Sequence, residues 1–129
     1  MAVTGEEALT RLAQDVVAAL TRVGFAARHV EWVSEEMPSG GAKVWIDANA
    51  DSGRGVYVAW CHHPELETVV RRAVETMDLT APELPFAAAA LEAIRKALHE
   101  VLRAAGFAVS EPPDISGAQA MVRLPRSWS

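Results

Sequence analysis

The chain has 129 residues, half of them hydrophobic and 22% charged, with a net charge of −5. That length suits one domain with a core of its own, the apolar content excludes an unfolded polar chain, and the acidic balance disfavours nucleic acid, which selects for basic patches. A lone cysteine, Cys61, leaves no intramolecular disulfide and points to a reducing, cytoplasmic setting. The first residues carry two acids and no long apolar run, unlike a secretory signal. The longest uncharged apolar run, Phe86 to Leu91, falls far short of the ~20 residues that span a bilayer.

The first helix is predicted from Glu6 to Val23. Leu9, Leu12, Ala13, Val16, Val17 and Leu20 recur at steps of three and four, with charged residues opposite. Thr4 fits its N-cap, Glu6 and Glu7 favour the positive end of the helix dipole, and Gly24 fits its C-terminal stop. Three strands follow, near Ala27–Val33, Ala42–Ala48 and Gly55–Cys61. The turn-rich stretches Met37-Pro-Ser-Gly-Gly41 and Asn49-Ala-Asp-Ser-Gly-Arg54 between them predict hairpins, hence an antiparallel meander. His63-Pro64 opens a second helix, since proline suits a first helical position. Its stripe is Leu66, Val69, Val70, Ala73, Val74 and Met77. A third helix runs from Phe86 to Ala105 on Leu91, Ile94, Leu98, Val101 and Leu102, and Gly106 closes it. Strands near Phe107–Ser110 and Ala118–Leu124 finish the domain, with Pro125 as a stop.

The expected class is therefore α+β, in the order α-β-β-β-α-α-β-β. An antiparallel sheet, made of a three-stranded meander plus two C-terminal strands, is packed by three amphipathic helices. Residues 1–125 form one domain and 126–129 a flexible tail. Leu20-Thr-Arg-Val-Gly-Phe-Ala26 echoes Leu102-Arg-Ala-Ala-Gly-Phe-Ala108. A shared way of ending a helix explains the echo more simply than an internal duplication.

Chemistry-bearing motifs are thin. Cys61, His62, His63 and Glu65 are the densest set of metal-ligand types. Neighbours at a strand end point to opposite sides, however, and no CxxC, HxxxH or HExxH spacing occurs. The simpler reading makes Cys61 a small buried hydrophobe, His62 a linker and His63 a helix cap. His99 is expected on the solvent side of the third helix, where it gives Cys61 no fixed base. No GxSxG elbow or Walker sequence is present, and Gly40-Gly41 and Gly53-Arg54-Gly55 read as turns. No catalytic residue, metal ligand or cofactor is assigned.

Aromatic placement carries the most information. Alternation along the strands puts Val44, Ile46, Val56, Val58 and Trp60 on an apolar face that should meet the helices. It puts Trp45, Tyr57, Val33 and Cys61 on the other face, among His29, Glu31, Lys43 and Asp47. That mixed face is covered either by the chain itself or by a partner, since Trp and Tyr are favoured interface anchors. The reading that follows is a small acidic, non-enzymatic binding protein: a regulator, adaptor or chaperone-like factor. It would bind a protein partner, a second copy included, through Trp45, Tyr57, Val33, Trp32 and Trp60. The alternative is a small-molecule binder or simple enzyme. Its pocket would lie between sheet and helices near Trp32 or Trp60, with His29, Cys61 or His62 as polar groups.

Overall fold

Each predicted helix forms where its apolar stripe lies. In the computed structural model, which describes residues 5–47 and 54–124, α1 spans Gly5–Arg22, α2 Pro64–Glu75 and α3 Glu83–Ala104. The strands are β1 (Ala27–His29), β2 (Gly41–Asp47), β3 (Gly55–Cys61), β4 (Ala108–Ser110) and β5 (Ala120–Arg123). The class is α+β, with five strands ordered β1-β2-β3-β5-β4. The expected Thr4 cap, the tip of the β2–β3 connection and the tail at 126–129 lie outside the described residues.

The sheet is mixed, which corrects the all-antiparallel expectation. β2 and β3 do form a hairpin ladder, from Gly41 opposite Cys61 to Asp47 opposite Gly55. β1, however, runs parallel to β2, pairing Ala27 with Ala42 and His29 with Val44. Parallel neighbours need a connection that carries the chain back. Residues 30–40 do this, so the expected first strand stops at His29, and Gly40 ends the loop while Gly41 opens β2, rather than the pair closing a hairpin. The carboxylate of Glu35 holds the loop. Its Oε2 accepts from the backbone N–H of Glu31 at 2.6 Å and of Trp32 at 2.8 Å, and Lys43 Nζ donates to Val33 O at 2.9 Å.

One sheet face carries the main core. Leu9, Ala13, Val16 and Leu20 of α1 meet Leu98 and Leu102 of α3 over Ala42, Val44, Val56, Val58, Ala120 and Val122. α1 lies over β1, β2 and β3, α3 over β3, β4 and β5, and the two helices touch. α2 packs on α3 instead of the sheet.

The sequence echo is a repeated helix ending. Gly24 N–H bonds to Thr21 O and Phe25 N–H to Leu20 O; Gly106 N–H bonds to Arg103 O and Phe107 N–H to Leu102 O. Both are Schellman caps with glycine at positive φ. α2 ends with the same two bonds, Met77 N–H to Val74 O and Asp78 N–H to Ala73 O. Here the left-handed position is filled by Met77, at φ 58°, the one non-glycine residue with positive φ among the described residues.

Candidate functional site

The five residues that sequence reasoning singled out are dispersed. Trp45 and Tyr57 do share the face away from α1 and α3, with ring centroids 5.8 Å apart and edge-on. They are buried, as are Val30 and Met121 beside them, and Ala59 and Ala118 pack around them. These side chains form a second small core and offer no open surface. Trp60 is half-buried on the helix side, its ring 6.0 Å from Phe25 and edge-on. Trp32 and Val33 stand exposed on the loop after β1.

Glu35 gives that loop its shape and a pH dependence. The N–H of Trp32, then that of Glu31, holds its carboxyl below the usual carboxylate range, and Arg28 adds to this. A depressed folded-state pKa contributes stability that is present above the ordinary carboxylate pKa and lost as pH falls through the folded value. Acidification is thus expected to release the amides of Glu31 and Trp32 before the sheet amides, as read by amide hydrogen exchange along a pH series. Glu35→Gln should remove that pH dependence; an unchanged series would show that the carboxylate does not hold the loop.

The Cys-His-His cluster does not converge. His62 Nδ1 accepts from the Trp60 indole N–H at 3.1 Å, and its Nε2 lies 2.9 Å from Ala87 O. An indole N–H only donates, so Nδ1 carries no proton and Nε2–H donates to the carbonyl. The residue expected as a linker thus ties the end of β3 to the first turns of α3. His63 caps α2, its Nδ1 accepting from Glu65 N–H at 3.1 Å with Pro64 behind it. Burial pushes the Cys61 thiol up, away from the thiolate a nucleophile needs. No group of three or more His, Cys, Asp or Glu side chains among the described residues is placed to hold a metal ion.

His99 corrects a second expectation. It is buried rather than solvent-facing, with Nε2 2.7 Å from Gln119 O. Gln119 also accepts from Trp60 N–H through Oε1 at 2.5 Å and donates its own N–H to Val58 O. One residue beyond the β3–β5 ladder, its side chain takes over the ladder's work. Nothing in the periodicity of α3 announces a partner supplied by the segment before β5.

Beside His99, a cleft of about 310 Å³ lies between α3 and the Pro112-Pro113 loop, lined by Glu92, Arg95, Glu111 and Gln119 among others. Arg95 is engaged there by two carboxylates, donating to Glu92 at 2.7 Å and 3.0 Å and to Glu111 at 3.0 Å. The Arg95 hydrogen bonds hold the Glu92 carboxyl below the usual range. A guanidinium with two carboxylates on it has little left for an anionic ligand.

The open apolar surface lies elsewhere. Of the eight large hydrophobic side chains exposed among the described residues, five fall between Val69 and Phe86: Val69, Val74, Met77, Leu79 and Phe86. They occupy α2, the turn after it and the first turn of α3. In α2, Ala73 is the one buried residue. The stripe that periodicity assigned to a core is therefore left largely open.

No family model, curated protein or solved structure matches the chain. Its chemistry is read from these surfaces alone. No helix among the described residues is long and apolar enough to cross a membrane.

Proposed function

We propose that the chain is a non-enzymatic protein-binding module of the adaptor or regulator kind, and that its docking element is the α2–α3 hairpin rather than the aromatic sheet face. The observation behind this is the cluster of exposed apolar side chains from Val69 to Phe86. Apolar surface exposed on one element in this way is a mark of association sites. The cap of α2 points the same way. Helices α1 and α3 end on glycine, whereas α2 ends on a methionine that is 75% exposed and held at positive φ. A left-handed conformation costs a non-glycine residue about 1–2 kcal/mol, and an exposed side chain recovers little of that within the monomer. Strain kept without local return is characteristic of binding elements.

Two outcomes check the reading. Met77→Gly should stabilise the purified chain by about 0.5–1 kcal/mol, the relief of strain less the entropy glycine adds to the unfolded state. It should also weaken binding, a combination that a purely structural role would not give. In cell extract, the isotope-labelled chain should show amide line broadening confined to residues 69–86, reduced in Met77→Gly and in Phe86→Ser. Broadening absent there, or centred on another element, would overturn the assignment.

A further inference from the structure

We infer that the occupant of the α2 face is a second copy of the same helix, lying antiparallel across a two-fold axis beside Val69. The inference rests on the binding role given to the α2–α3 hairpin.

The sequence of α2 is self-complementary. Val69 is exposed near its middle. Glu65 lies four residues before it and Arg72 three after, so all three share one helix face. Both charged residues are exposed, and neither has an ion-pair partner among the described residues, whereas Arg71 reaches Glu75 at 3.8 Å. The apolar residues beside this face, Leu66 and Val70, are only half-buried against α3. A partner that matches this face presents an apolar side chain to Val69, with a base opposite Glu65 and an acid opposite Arg72. A two-fold interface sets residue i of one copy against j of the other, and j against i. Antiparallel pairing centred beside Val69 sets Glu65 against Arg72 of the second copy, and Arg72 against its Glu65. It repeats both attractions symmetrically on either side of Val69. A parallel arrangement would set like charges together, which is costly at an interface.

The test is the solution mass across a concentration series, by sedimentation equilibrium. The wild type should be a reversible dimer. Glu65→Arg and Arg72→Glu each bring like charges together twice per dimer, and each should weaken association about tenfold or more. Mixing the two variants should restore it, because the mixed dimer pairs Arg at 65 with Glu at 72 and the native Arg72 with the native Glu65. The double variant should also dimerise. Both positions are exposed, so thermal melts should confirm intact folding of each variant. A dimer that survives both single changes, or a mixture that does not associate, would overturn the pairing. A wild type monomeric at millimolar concentration would overturn it too. In that case hairpin amides that still broaden in extract would leave the binding role standing, with a different partner, and amides that do not would remove both.

Discussion

Gly41→Ala is expected to destabilise the fold by about 2–4 kcal/mol, far more than a methyl group usually costs. At φ 115°, an added Cβ would lie 2.5 Å from Ala26 O and 3.1 Å from Ala26 Cβ. Backbone cannot give way there, because the next residue's N–H, that of Ala42, bonds to the same Ala26 carbonyl at 2.7 Å. Gly24 provides the control. Its φ is similar, at 104°, yet nothing stands within 4 Å of the position a Cβ would take. Gly24→Ala should therefore cost only backbone strain, about 1–2 kcal/mol. Urea unfolding of both variants separates close approach from φ. Equal losses would show that β2 does not enter against the end of α1–β1 as described.

Trp45→Ala should cost about 3–5 kcal/mol, the range for truncating a large buried aromatic. Only 8% of Trp45 is exposed, its ring lies edge-on to Tyr57, and Met121 of β5 closes the same cluster. The loss should appear as a lowered urea midpoint with association of the remaining folded protein unchanged. Trp45→Phe should recover part of it. A variant that stayed as stable as wild type but lost association would instead place Trp45 in an interface.

The helices were legible because each carries its period and its ending in adjacent residues. Leu9 to Leu20 and Leu91 to Leu102 state a face, and Gly24-Phe25 and Gly106-Phe107 state a stop. The parallel β1 was not legible. Met37-Pro-Ser-Gly-Gly41 is good hairpin chemistry, and what decides against a hairpin lies outside that stretch: Glu35 turning back on Glu31 and Trp32, and Ala26 pressed on Gly41. His99 failed for a related reason, since its partner is a carbonyl twenty residues away. Alternation placed Trp45 and Tyr57 on the correct face, but no local pattern says that a face is closed. The α2 stripe shows the converse. Leu66 to Met77 read as a core helix, and only its packing on α3 alone shows that the stripe stays open.

The position of β5 bears on how the protein is made. The strand lies between β3 and β4, and Ala120 and Val122 enter the main core while Met121 enters the smaller one. A chain emerging from the ribosome can coil α1, pair β2 with β3 and extend α3, yet β4 has no strand to pair with until Arg123 has cleared the exit tunnel. Both cores stay open until then. Closure of the sheet in this sense waits on its last strand, and a chain stalled or shortened before β5 would display apolar surface that the folded domain conceals.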